Sequence, residues 1–414
     1  MRNWAGNVDY STDDVRAPAT LEELQELVAG TSPVRATGTR HSFSTVVDTT
    51  GALVSTARLG LALEIDETSG IAWVPAAATY ADVVPSLDAA GWALHNMGSL
   101  PHISVGGACS TGTHGSGVGN GCLASRVVAV ELVAGTGDLV TGRAGERDFP
   151  GLVLALGSLG VVTRLAVQLE RSYQVCQEVV LDVPVRSVVE NVAEVLGSAY
   201  SVSLFISFRD RAVVDSVWLK HRGASPADLG DVWGGRRAPA KVHPIVGIDA
   251  EAATDQLGSS GPWHERLPHF KPSFTPSAGE EIQSEFFVPI DRAAEVLSTV
   301  AERADEFSSA VQVMEIRTVA ADDMWLSPFR GRETLAVHAT WISDLRVVRP
   351  ALERLERVLA PFEPRPHWGK YFLGFDRDQV EGTYPMLPEF RDLAQRLDPE
   401  RRFVNEFVTR LGIR

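Results

Sequence analysis

The sequence predicts an α+β fold in two domains, and three observations carry that reading. At 414 residues the chain is long for one hydrophobic core, so two domains are the natural division. Its first part alternates short strand signals with helices around glycine-rich turns. From Tyr173 onward strands and helices lengthen and recur twice as a set, which suggests an antiparallel sheet covered by helices.

In chain order, Thr20 to Glu23 reads as a capping box opening a helix whose apolar face is Leu21, Leu24, Leu27 and Val28, closed by Gly30. Residues 35–42 then read Arg-Ala-Thr-Gly-Thr-Arg-His-Ser. Such a run exposes backbone N–H groups in a tight turn, the way a protein cradles a pyrophosphate, and His41 stands at its end. Taken alone, the pattern is more often a plain turn. A hairpin follows, with 62–66 and 71–74 flanking Glu-Thr-Ser-Gly. Thr79 caps a helix running to Gly91, with Val83, Val84 and Leu87 apolar.

Residues 96–120 are crowded with glycine, hydroxyl side chains and two histidines. No amphipathic period survives that density of glycine. The composition lets backbone approach a large planar or phosphorylated ligand, and the apolar segments on both sides argue for an ordered, buried loop rather than disorder. A second hairpin spans 127–133 and the Gly-Thr-Gly-Asp turn at 135–138; 149–156 is helical, and a strand ends near Leu169. The phosphate-binding elements follow neither the Rossmann nor the P-loop pattern.

In the second part, 185–196 reads as one helix, then 201–208 and 213–220 as antiparallel strands. The polar segment 221–244 reads as an exposed excursion. Strands are expected at 281–288, 311–319 and 334–342, and helices at 291–307, capped by Asp291, and at 345–359. On two of these strands polar residues recur with period two: Glu315 with Arg317, and His338 with Thr340. Met314, Ile316, Val337, Ala339 and Trp341 supply the other face. A solvated face or a Glu–Arg strut accounts for the polar set. If buried, however, these groups need partners, which a polyhydroxylated ligand supplies. A site and a structural network stand even on these residues. Residues 365–370, Arg-Pro-His-Trp-Gly-Lys, follow a proline-rich break and place His367 and Lys370 around an aromatic and a glycine. A lone lysine is usually solvated, but one held after a rigid turn can serve as a base or oxyanion partner. The segment 402–407 is compact and aromatic and is expected to pack on the first domain.

A net charge of −15 argues against general affinity for nucleic acid or an anionic membrane. Cys109, Cys122 and Cys176 are too few for a disulfide framework and fit a reducing compartment. The first residues lack the apolar core of a signal peptide, and no apolar run is long enough to span a bilayer. A cytoplasmic enzyme with no metal site is expected.

Four stretches together, Thr-Gly-Thr-Arg-His-Ser-Phe at 37–43, residues 96–121, Glu-Ile-Arg-Thr-Val-Ala-Ala-Asp at 315–322 and Arg-Pro-His-Trp-Gly-Lys at 365–370, resemble the alditol oxidases. These are flavoproteins of the vanillyl-alcohol oxidase superfamily, with sugar-lactone oxidases as cousins. The similarity runs nearly end to end, since residues 3–7, 199–205, 261–270 and Gln-Ser-Glu at 283–285 fit too. The resemblance implies an FAD-binding α+β domain over 1–172, joined by the tail 371–414, and a substrate-binding cap over 173–370. It implies FAD bonded covalently through His41, with Ala36, Thr37, Gly38, Thr39, Arg40 and Ser42 around the pyrophosphate. Ser99, Ser104, Gly107, Thr111, Gly112, Thr113 and His114 would line the flavin, with Val162 and His367 completing its pocket. Substrate contacts would fall on Ser99, Glu315, Arg317, His338, Thr340 and Lys370, of which Lys370, Arg317 and Glu315 are the catalytic set.

The implied reaction oxidises the terminal hydroxyl of alditols such as xylitol and sorbitol to the aldose and reduces O2 to H2O2, in a monomer. Lys370, with Arg317, would assist loss of the hydroxyl proton. An aldonolactone oxidase or dehydrogenase is the enzymatic alternative; a flavin- or carbohydrate-binding protein without turnover is the other. Arg40 stands where the polyol oxidases carry glycine. The segment 96–101 lacks the cysteine that doubly tethered relatives use, so a single covalent bond is expected.

Overall fold

The computed structural model describes residues 1–226, 230–274 and 281–414. Alternating apolar residues in the first part build an antiparallel sheet in the spatial order Glu64–Asp66, Ile71–Pro75, Gly160–Gln168, Val127–Ala134, Leu139–Arg143. Beside it Val15–Arg16 and Val34–Ala36 flank Ala52–Val54 in parallel, and the helix Leu21–Gly30 makes the crossover between the outer two. Thr20 caps that helix by accepting from the Glu23 backbone. The Glu23 carboxylate bonds the Ala19 amide (2.7 Å), so the capping box is half made. At Thr79 it is complete, with Asp82 reciprocating.

The second part forms one large antiparallel sheet. Its main path runs Gln174–Pro184, Val213–Arg222, Ser201–Ile206, Val311–Val319, Thr334–Ile342, Glu281–Pro289, ending on the short strand Arg365–Pro366. Met314, Ile316, Val337, Ala339 and Trp341 are completely buried on one face. The helix Leu345–Leu359 buries a continuous stripe of Val348, Leu352, Leu355 and Leu359 in the same core. The opposite face of those two strands carries the polar set. After the sheet the chain returns to the first part: Phe403 packs with Leu24, Val28 and Val54, and Asn405 Nδ2 donates to the carbonyls of Val46 (3.2 Å) and Asp48 (2.8 Å).

Four expectations are corrected. The glycine-rich stretch is ordered and buried but contains a helix, Val105–Thr111. Its glycines mask the helical pattern because they serve contact: a Cβ on Gly106 would lie 2.8 Å from Ala76 Cβ. The helix expected over 185–196 is two, Val185–Glu190 and Val192–Gly197, broken at Asn191. The helix Ala293–Glu302 begins after a 3-10 turn, with Arg292 at its cap and no side-chain cap bond, so Asp291 does not cap it. The excursion from 221 to 244 is, among its described residues, only partly exposed, because Val232 and Trp233 are buried and Arg236–Arg237 pairs with Val180 and Leu181; residues 227–229 lie outside the described residues.

Candidate active site

Register decides which side chains meet. Glu315 lies opposite His338, and His338 opposite Glu285, so the three form a row across adjacent strands; Phe205 extends it beyond Glu315. Thr340 opposes Gln283 in the next row. Arg317, one position along the Glu315 face, places Nη2 2.6 Å from Glu285 Oε1 and Nε 3.5 Å from Glu315 Oε2. Its Nη1 reaches Ser99 Oγ at 3.4 Å. His114 Nε2 lies 3.0 Å from the same Glu285 oxygen. His338 Nδ1 is buried and 3.9 Å from Glu315 Oε2, beyond hydrogen-bond reach. Burial alone would raise both glutamates. Arg317, with His114 at Glu285 and His269 at Glu315, instead holds each carboxyl well below its usual range. Burial pushes His338 down to about 3, so its ring is neutral at physiological pH.

The segment 365–370 is tied to both sides of this face. His367 N donates to Glu285 O (3.0 Å) and Tyr371 N to Gln283 O (2.9 Å), which fastens it to the sheet edge. Lys370 Nζ donates to Gln283 Oε1 and sits 5.1 Å over the Phe43 ring. Its ammonium is partly buried, and desolvation lowers its pKa. In turn Phe43 N donates to Gly369 O (2.7 Å) and Ser44 Oγ to Trp368 O (2.7 Å), so the His41 loop and the lysine segment are stitched together.

The His41 loop is braced from below. The Arg35 guanidinium is fully buried and gathers the carbonyls of Val46, Leu156, Gly157 and Phe403. Trp4 stacks on the His41 ring, centroids 5.0 Å apart and planes at 23°, and its backbone N–H donates to Arg40 O (2.9 Å). Arg40 takes φ +61°, the left-handed region that a glycine adopts without steric cost. Burial, with Lys370 and His102 nearby, pushes His41 down to about 4. Its Nδ1 and Thr37 Oγ1 are buried with no hydrogen-bond partner among the described residues.

These elements enclose one cavity of about 650 Å³, in the size range of cofactor and small-molecule sites. Every site residue expected from the sequence lines it except Gly112. Gly112 instead ends the helix Val105–Thr111 at φ +80° and faces Leu154 and Pro328. One end is a glycine cradle, where a Cβ on Gly38 would collide with Ser104 Oγ; the other is the Glu315–His338–Lys370 face. Close-approach glycines, the orphaned Thr37 hydroxyl and an unpartnered imidazole nitrogen fit a dinucleotide cofactor.

Residues 13–143 match the FAD-binding domain family, and 279–411 match the D-arabinono-1,4-lactone oxidase family. An alditol oxidase from a Streptomyces species is 43% identical over 411 residues, covering 99% of this chain and 98% of that one. The chain belongs to the alditol oxidase family. Within that wider group, an L-gulono-1,4-lactone dehydrogenase from Mycobacterium tuberculosis is 25% identical over 427 residues, with 99% and 98% coverage. A cholesterol oxidase from B. sterolicum superposes with TM-score 0.75 at 14% identity, covering 99% of this chain and 96% of that one, which establishes the shared fold. A solvent-stable cholesterol oxidase gives TM-score 0.79 at 15% identity, with 100% and 97% coverage.

In this member of the alditol oxidase family the cavity face also contains Gln283 and Glu285, which the sequence reading did not assign. They alternate with Ile282 and Ser284 on their strand, the same period-two signal that marked Glu315 and His338. His269, bonded to Glu315, gives no such signal, because it stands alone in an irregular segment.

Proposed function

We propose that the protein oxidises the terminal primary hydroxyl of an alditol to the aldose, with FAD as cofactor and O2 reduced to H2O2. The observation that carries this is the pairing of full-length 43% identity to an alditol oxidase with a cavity face built of hydrogen-bonding groups. FAD, when bound, accepts the hydride equivalent and delivers electrons to oxygen. Everything else falls to the chain. Gly38, Thr37 and the backbone of 36–42 hold the pyrophosphate region, and Ser104, Gly107, Thr111, Thr113, His114, Val162 and His367 shape the ring pocket.

On the substrate side, Ser99 and Thr340 offer hydroxyls, Glu315 accepts, Arg317 donates, and neutral His338 presents a ring nitrogen left unpaired by its neighbours. Together they read successive hydroxyls of an extended polyol. Lys370, with a desolvation-lowered pKa, takes or shares the proton of the reacting hydroxyl, and Gln283 fixes its direction. His41 would carry the covalent link; its buried, partnerless Nδ1 and the Trp4 stack on its ring support that role. The division into 1–172 with 371–414, and 173–370, is supported by the large sheet starting at Gln174 and by the packing of Phe403 among residues of the first part. We read the protein as a monomer and as cytoplasmic, the latter supported by three cysteines that are all free and buried.

A lactone substrate is the second reading, favoured by the match of 279–411 to the D-arabinono-1,4-lactone oxidase family. An oxygen-electrode screen over xylitol, sorbitol and an aldonolactone separates them. Peroxide released from alditols alone is expected, and turnover of the lactone alone would overturn the assignment. Acid-precipitated protein should stay yellow, and His41→Ala should lose that colour; colour retained without His41 rules the tether out.

A further inference from the structure

Beside Glu315 a buried chain of groups leads from the cavity wall at His269 inward to Lys220, and the reaction above does not use it. Lys220, on the strand Val213–Arg222, is 1% exposed. An ammonium has three donors and no acceptor. Here it meets three acceptors: the carbonyl oxygens of Leu267 and Pro268, the latter at 3.0 Å, and His269 Nδ1 at 3.2 Å. With Nδ1 accepting, the proton of a neutral ring sits on Nε2, which lies 2.7 Å from Glu315 Oε1. Phe205 and Trp218 hold the imidazole edge-on, at centroid distances of 5.4 and 5.3 Å. Burial, reinforced by Lys220, pushes His269 down to about 4 and keeps the ring neutral. Burial also draws Lys220 down to about 7, opposed by Glu315, while its three acceptors favour the charged form. One Glu315 oxygen is thereby occupied by His269, whose ring also borders the cavity. The other faces Arg317 Nε at 3.5 Å and His338 Nδ1 at 3.9 Å, on the cavity side.

We propose that Lys220 and His269 are positioning residues for polyol recognition: Lys220 fixes the His269 tautomer, and His269 donates to Glu315 and holds its carboxylate toward the substrate hydroxyls. This rests on Glu315 being a substrate contact. Neither residue touches the reacting carbon, so the effect falls on binding. Loss of one hydrogen bond to a charged group, or of a group that orients a binding residue, is worth roughly 10- to 100-fold.

The test compares His269→Leu, which removes acceptor and donor, with His269→Gln, whose amide keeps both, alongside Lys220→Met, in the flavin-loaded full-length enzyme. His269→Leu and Lys220→Met should raise KM for the best alditol roughly 10- to 100-fold with kcat within about threefold. His269→Gln should restore KM to within about threefold, with flavin content unchanged. A general packing defect would leave glutamine and leucine equally impaired, and that result overturns the proposal. Nitrogen-15 NMR of histidine-labelled wild-type protein reads the first link without any substrate. The signal lost in His269→Gln should be the Nε2–H tautomer, and the Nδ1–H tautomer there refutes the relay even if Lys220→Met fails to fold. If the wild type oxidises no alditol while this tautomer is present, the assignment of substrate fails and the Lys220–His269 link stands.

Discussion

Arg317 offers the sharpest energetic test because one cation serves two buried carboxylates. Replacing it by methionine keeps much of the length and removes the charge, stranding Glu285 and Glu315 at 1% and 4% exposure. Glu285 retains His114 at 3.0 Å and Glu315 retains His269 at 2.7 Å, so neither loses every partner. Removing one member of a buried pair costs about 3–5 kcal/mol, most of it the penalty for leaving the other charge uncompensated. Arg317→Met is therefore expected to lose about that much in urea denaturation at pH 7. Adding Glu285→Gln removes the charge that sat 2.6 Å from the guanidinium. The double variant should then be less destabilised than the sum of the singles by about 2 kcal/mol or more. The pH dependence has a definite sign. With Arg317 gone, the stranded carboxyls rise above their unfolded values, and their protonated forms are favoured in the folded state. The deficit should shrink as pH falls from 7 toward 5. Strict additivity of the two substitutions, or an unchanged denaturation midpoint for Arg317→Met, would refute the assignment of Arg317 as the cation that neutralises this face.

Lys370→Met should slow anaerobic flavin reduction by alditol roughly 100- to 10,000-fold in stopped flow while leaving bound flavin in place; a full reduction rate removes the lysine from proton handling. His269 and His338 are depressed to about 4 and about 3 in the folded state, so their contribution is complete above the unfolded value near 6.5 and is lost as pH falls below it. At pH 5 each costs roughly 2 kcal/mol, and His338→Gln should flatten its share of the fall between pH 7 and pH 5. Arg40→Gly should be neutral or stabilising by up to about 1 kcal/mol, since relief at φ +61° is offset by the entropy glycine adds to the unfolded chain. A larger loss would show that the Arg40 side chain makes a needed contact.

Much of the site was legible because β-strands sort side chains by parity. Glu315 with Arg317, and His338 with Thr340, stood out as polar pairs on otherwise apolar strands, and both strands occupy the expected ranges, 311–319 and 334–342. Residues alone could not tell a site from a network. The structure carries both features, since Arg317 pairs with Glu285 and Glu315 while all four groups line the cavity. Gln283 and Glu285 carried the same period-two spacing on their strand, but with Glu281 and Ser284 beside them it stood out less. Lys220 carried no such signal, since its partner His269 lies 49 residues along the chain, beyond any local pattern. The helix at 105–111 was hidden because Gly106 answers to Ala76 across the packing, not to helix propensity. Where caps depend on the approach direction of the preceding chain, as at Asp291, local rules did not suffice.

The bracing of Arg35 has a consequence in time. Its guanidinium binds the carbonyls of Leu156 and Gly157 and, from a segment made much later, of Phe403. Phe43 and Ser44 likewise wait for Gly369 and Trp368. The His41 loop therefore leaves the ribosome long before the residues within 368–403 that brace it, and its setting is complete only once they have been made.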